Sequence, residues 1–82
     1  SNTPESEEIE YDDEQVNIKD LYAVINDLPA GYKIVFNLYA IDGFTHKQIA
    51  EQLNISEGTS KSQLARARKL LKTLLKERLN IG

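Results

Sequence analysis

Apolar residues recur at helical spacing from near the end of this chain's first quarter onward. Ile18, Leu21, Tyr22 and Ile25 stand at i, i+3, i+4 and i+7, with Leu28 continuing at i+10, the stripe of a helix buried on one side. Asn17 is placed to cap that helix. Leu28-Pro29 punctuates the pattern, because proline cannot continue a helix but can open the next one in its first turn. Residues 29 to about 41 then carry Ile34, Val35, Phe36, Leu38, Tyr39 and Ile41. They are apolar nearly all round, which predicts a central buried helix. Asp42-Gly43 ends it, with Gly43 suited to a left-handed C-terminal position.

Two further helices follow at short range. Thr45 and Gln48 have the spacing of a capping box, in which each side chain satisfies a backbone N–H at the helix start. A helix over 46–53 would turn Ile49, Ala50 and Leu53 inward, with small Ala50 where two helices cross closely. Asn54 fits a turn, since asparagine tolerates the left-handed conformation, and Ile55 is expected to plug the core beneath it. Ser56 can cap the last helix, with Glu57 favoured in its first turn by the helix dipole. That helix should run from 57 to about 78. The whole is an all-α, four-helix domain ending in a helix-turn-helix.

The last helix separates its residues by chemistry. At about 100° per residue, Leu64, Ala67, Leu71 and Leu74 fall on one side. Lys61, Ser62, Ala65, Arg66, Lys69, Lys72, Thr73 and Lys76 fall on the other, with no acid among them. A merely solvated face mixes signs, because acid–base pairs four residues apart support a helix. A single sign forgoes that support and suits phosphate binding. The N-terminal part of such a helix is the part that meets base edges. Here it offers Thr59, Lys61, Ser62, Gln63, Ala65 and Arg66 as base-reading candidates, with donors for guanine, an amide for adenine and a methyl for thymine. Lys69, Lys72 and Lys76 are placed for phosphates. Ser60 falls on the inward side, where a hydroxyl can bond back to its own helix.

Charge and composition sharpen this picture. The net charge of -3 over 82 residues averages two opposed parts. Residues 1–20 hold eight acids and one lysine, whereas residues 59–82 hold seven bases against Glu77. Such asymmetry suits a polyanion partner. Soluble acidic spacers and a dipole-favoured basic helix end would also produce it. Residues 1–16 are too polar and acidic to build a core and are expected to be a disordered leader or linker, with 17–82 as the folded domain. Folding of that leader over the basic helix, in competition with DNA, is a further reading. There is no cysteine and no metal-ligand cluster, so neither a disulfide nor a metal staples the chain, and no cofactor is expected. No apolar run approaches the roughly 20 residues of a membrane span. A cytoplasmic location is expected.

The stretch from Leu28 to Lys72 closely resembles region 4, the C-terminal domain, of bacterial sigma factors, and is most similar to the extracytoplasmic-function group. The matching pieces are Leu28-Pro29, the VFNLY run, Asp42-Gly43-Phe44 and Ile49-Ala50-Glu51. Glu57-Gly58-Thr59, Lys61-Ser62 and Arg66-Ala67-Arg68 complete them. The resemblance implies a four-helix domain that binds the minus 35 element of double-stranded promoter DNA. It also implies contact with the β flap of RNA polymerase and an anti-sigma factor as a further partner. By position, Lys61, Ser62, Ala65 and Arg66 would face the promoter. Some members carry arginine where this chain has Lys33 and Lys61, and lysine lacks arginine's planar fork. The acidic leader resembles the linker to a preceding promoter-melting region, which has no counterpart here.

Other classes remain to be weighed. An enzyme is not expected. His46 is the only histidine, reads as a surface or phosphate-contacting residue, and has no nucleophile at a telling spacing. The glycines form no phosphate loop. A response-regulator output domain would dimerise through its last helix, and Leu70, Leu75 and Leu79 could supply that seam or could instead cover the first helix. A docking domain for an anti-sigma factor or polymerase would use the same basic face for protein. A sigma domain should be a monomer on a non-palindromic site, whereas a response regulator should dimerise on repeats about one helical turn apart.

Overall fold

The computed structural model of the chain describes residues 18–79. The expected leader and the Asn17 cap lie outside that range. Four α-helices occur in order: α1 (Ile18–Asn26), α2 (Ala30–Phe36), α3 (His46–Leu53) and α4 (Glu57–Leu79). A π-helical turn, Asn37–Ile41, continues directly from α2. There is no strand among the described residues. The domain is all-α, as the sequence pattern requires.

The long helix α4 organises the core, since α1, α2 and α3 all pack against it. Its Leu64, Ala67 and Leu71 join Val24, Ile25 and Leu28 from α1 and the turn after it. Val35 and Phe36 of α2 and Ile49 of α3 close the cluster. Leu70, Leu74 and Leu75 pack half-buried against its edge. Those leucines therefore cover the core. Arg78 Nε donates to Asp20 Oδ1 at 2.9 Å and ties the end of α4 to the start of α1.

Local chemistry sets the joints. Pro29 sits just outside α2 with φ -54° and ψ 149°, and its carbonyl accepts the Lys33 N–H at 2.9 Å. Lys33 Nζ reaches back to the Asn26 carbonyl at 3.0 Å and to Asn26 Oδ1 at 3.1 Å. The cation thus caps the carbonyl end of α1, where the helix dipole favours positive charge. Gly43 adopts φ 84°, the left-handed stop expected of it.

Two expectations are corrected. The buried face of α1 is formed by Val24 and Ile25, continued by Leu28, with Leu21 half-buried. Ile18 and Tyr22 are 64% and 53% exposed. The sequence offers two overlapping stripes, 18/21/22/25 and 21/24/25/28, and α4 covers the second. The segment after Pro29 is likewise not a uniformly buried α-helix. Asp42 N–H bonds to the Asn37 carbonyl at 2.9 Å, one residue further back than in an α-helix. The widened turn changes the phase of the side chains that follow. Leu38 and Tyr39 stay half-buried, while Ile41 is 50% exposed, and Ile34 on the preceding helix is 45% exposed. Ile55, expected as a plug, is half-buried.

This burial pattern predicts contrasting losses on truncation. Ile49→Ala, at a fully enclosed site, should cost about 3 kcal/mol, a large share of a small domain's stability. Ile41→Ala should cost less than about 1 kcal/mol. Urea denaturation of both variants checks this, and similar losses would contradict the phase change at the π turn.

Candidate nucleic-acid interface

The interface is built from the turn between α3 and α4. Thr45 Oγ1 accepts the Gln48 N–H at 3.1 Å while Gln48 Oε1 accepts the Thr45 N–H at 2.9 Å, completing the capping box. At the other end of α3, Asn54 takes φ 58° and ψ 47°. This is the left-handed position that lets the chain reverse without glycine. Ile55 N–H closes the turn on the Ala50 carbonyl at 3.0 Å. Ser56 Oγ then accepts the Thr59 N–H at 2.9 Å and its hydroxyl donates to Thr59 Oγ1 at 2.9 Å. Each orphan donor at the start of α4 that these residues reach is satisfied locally.

Where α3 crosses α4 the packing is dense. Ile49 and Ala67 have no exposed surface, and Ala50 retains 8%. Ser60 is fully enclosed in the same crossing. Its hydroxyl does not bond back to its own helix. It shares a 2.8 Å hydrogen bond with His46 Nδ1 across the motif. The imidazole in turn stacks on Tyr39 with ring centroids 4.5 Å apart and an 18° angle. The Arg68 guanidinium lies 5.9 Å from the centre of the Tyr39 ring, within cation–π range. His46, read from sequence as a surface or phosphate-contacting residue, is instead half-buried and joins three elements of the fold. Sequence reasoning gave Tyr39 and Arg68 no part in this chain of contacts. Nothing in their spacing signals it, because the partners meet only through the π turn.

The outer face of α4 emerges as one surface. Lys61, Ser62, Ala65, Arg66, Lys69, Lys72, Thr73 and Lys76 are all exposed. Among the described residues no salt bridge reaches any of these cations. The hydroxyls are partly committed: Ser62 Oγ donates to the Thr59 carbonyl at 3.1 Å and Thr73 Oγ1 to the Lys69 carbonyl at 3.4 Å. Thr59 and Gln63 depart from the group. Both are half-buried. The Gln63 amide lies over Gly31 of α2, where a methyl group on that glycine would come within 3.9 Å of Nε2. Gln63 Oε1 is buried without a hydrogen-bond partner among the described residues. Lys61, Ala65 and Arg66 are thus the N-terminal side chains of α4 that project freely.

A capped turn, a close helix crossing and a second helix whose outer cations meet no salt-bridge partner among the described residues together define a helix-turn-helix domain. The family described as Sigma-70, region 4 matches residues 18–71, and the chain belongs to it. It is also 37% identical, over 67 residues, to the ECF RNA polymerase sigma factor SigM of Bacillus subtilis (strain 168). That match covers 80% of this chain and 41% of the relative. The chain therefore spans about two-fifths of that relative's length. No solved structure matches it.

The His46–Ser60 bond predicts energetic coupling. His46→Phe keeps the stack on Tyr39 but strands an enclosed hydroxyl, and should cost about 1–3 kcal/mol. Ser60→Ala in the His46→Phe background should recover part of that loss. Denaturation of both single variants and the double variant measures the coupling, and simple additivity would contradict it.

Proposed function

We propose that this domain binds the minus 35 element of promoter DNA through the outer face of α4, as the C-terminal domain of an extracytoplasmic-function sigma factor. In that role it would help direct RNA polymerase to the start of transcription. The observation that carries the reading is the uniform sign of an exposed helix face with no internal ion pairs. A phosphate backbone rewards that face through counterion release. Family membership supplies the sigma factor context.

Within the face, Lys61, Ala65 and Arg66 sit where a recognition helix meets base edges, and Ser62 stands beside them. Arg66 can present a planar fork to guanine, and Ala65 a methyl group to thymine. Lys69, Lys72 and Lys76 continue along the same side toward the phosphates. Thr59 acts through the cap it shares with Ser56. Gln63 would have to leave Gly31 before it could reach a base.

The polymerase side of the reading rests on a separate apolar groove of about 550 Å³ between α1 and the α2–π segment. Tyr22, Ile41 and Lys33 line it together with Asn37, whose Oδ1 has no hydrogen-bond partner among the described residues. An apolar segment of the β flap with one donor would cover the exposed Tyr22 and Ile41 and satisfy that oxygen. The two surfaces share no residue, so DNA and polymerase could be held together.

Among the described residues, no helix is long and apolar enough to cross a membrane. A monomer working in the cytoplasm fits this reading. The dimeric response-regulator alternative is disfavoured because Leu70 and Leu75, which with Leu79 form its candidate seam, pack on the domain's own core. An anti-sigma partner would use one of the two surfaces described.

Arg66→Ala should relax base preference. Lys72→Ala should weaken binding to all duplexes alike and lower the salt slope by about one unit. Fluorescence titrations on matched and scrambled duplexes at several salt concentrations separate the two effects, and identical behaviour would refute the division of labour. Ile41→Glu should weaken binding to core polymerase about tenfold or more while leaving duplex affinity unchanged. Loss of DNA binding in that variant would overturn the assignment of two surfaces.

A further inference from the structure

The outer side of α4 carries a second feature that a phosphate backbone does not need. Between α2 and α4 lies an open groove of about 350 Å³, lined by Tyr32, Arg66, Lys69, Leu70 and Thr73. Tyr32 and Leu70 give it an apolar floor. Arg66 and Lys69 stand at its rim, exposed and without a salt-bridge partner among the described residues. A groove with two apolar side chains and two cations along its α4 wall is complementary to an acidic peptide with an apolar or aromatic anchor.

This chain contains such a peptide. Residues 5–14 read ESEEIEYDDE, with seven acids and no base surrounding Ile9 and Tyr11. The point of attachment is favourable. The Asp20–Arg78 bridge, at 2.9 Å, holds the start of α1 against the end of α4. The start of α1, to which the segment is joined, therefore lies beside the basic helix. Tyr11 is seven residues before Ile18 and can reach roughly 23 Å at about 3.3 Å per residue. Along α4, the groove residues Arg66 to Thr73 lie roughly 8–18 Å from Arg78 at about 1.5 Å per residue. The reach is sufficient.

We propose that residues 5–14 seat in the groove between α2 and α4, with Tyr11 as the apolar anchor, and compete with DNA for Arg66 and Lys69. The competition rests on the promoter-binding reading above, whereas the seating does not. A short tether gives an effective concentration on the order of millimolar. An acidic segment with an intrinsic dissociation constant near that value reduces duplex affinity roughly two- to tenfold. Added salt screens the contact. Duplex binding, which uses Arg66 and Lys69, would displace the segment.

The test compares the full 82-residue chain with a variant whose seven leader acids are changed to glutamine or asparagine, and with Tyr11→Ser. Amide NMR spectra without DNA should differ between the native and neutralised chains at Tyr32, Arg66, Lys69, Leu70 and Thr73. These differences should vanish near ~0.5 M salt. A random-sequence duplex at ~50 mM salt should bind the neutralised chain roughly two- to tenfold more tightly. It should bind Tyr11→Ser about twofold more tightly, although that change leaves the charge untouched. Spectral differences confined to the neighbourhood of Ile18 would overturn the seating. Unchanged duplex affinity in Tyr11→Ser would overturn anchored competition, leaving only general repulsion by the acids. If no chain binds duplex, the promoter reading and the competition fail together, and the DNA-free spectra still uphold or overturn the seating.

Discussion

One helix has to satisfy two environments, and the rest of the domain is arranged around that constraint. Ser60, Leu64, Ala67 and Leu71 of α4 are buried, while the opposite side of the same helix presents exposed cations of one sign. Intrahelical acid–base pairs are absent from that side, so its support comes from packing. Burial of one stripe against α1, α2 and α3 supplies it, at roughly 25 cal/mol per Å² of apolar surface removed from water. The leucines at the borders, Leu70 and Leu75, extend the buried stripe. A cationic face without acid–base pairs of its own is therefore tolerated because the inward face is so fully engaged.

The orientation of that helix depends on the crossing with α3. Small and enclosed Ala67 joins Ile49 in the core there, and the reversal at Asn54 sets how the two helices enter the crossing. Ser60 adds a polar pin to this otherwise apolar contact. Through His46 and Tyr39 it links the start of α4 to the π turn and onward to Arg68. A valine at position 60 would fill space but could not fix the imidazole's direction. The same π turn carries both Tyr39 of this stack and the exposed Ile41. A local irregularity of the backbone thus bears on both proposed surfaces.

The parts of the structure that were legible in the sequence are those governed by neighbours in the chain. The Thr45–Gln48 box, the Ser56 cap, the Gly43 stop and the left-handed Asn54 each follow from the chemistry of a few adjacent residues. The two faces of α4 were legible because 23 residues give the helical period room to declare itself. In α1, nine residues leave two overlapping stripes, and only the position of α4 decides between them. The π turn was invisible because one extra residue in a turn leaves no mark on a run that is apolar all round. His46 and Ser60 are 14 residues apart, and no spacing rule pairs a histidine with a serine across a crossing. Gln63 looked like a base-reading amide on a wheel, but a wheel does not show that α2 brings Gly31 beneath it.

The central claim, that α4 reads base sequence with its free N-terminal side chains, is tested most directly by selecting binding sites from a random duplex pool at low salt. The wild-type domain and a Lys61→Ala/Arg66→Ala double variant would be compared. An enriched, non-palindromic motif that disappears in the double variant is the predicted result. No enrichment with the wild type, or the same motif with both proteins, would contradict it.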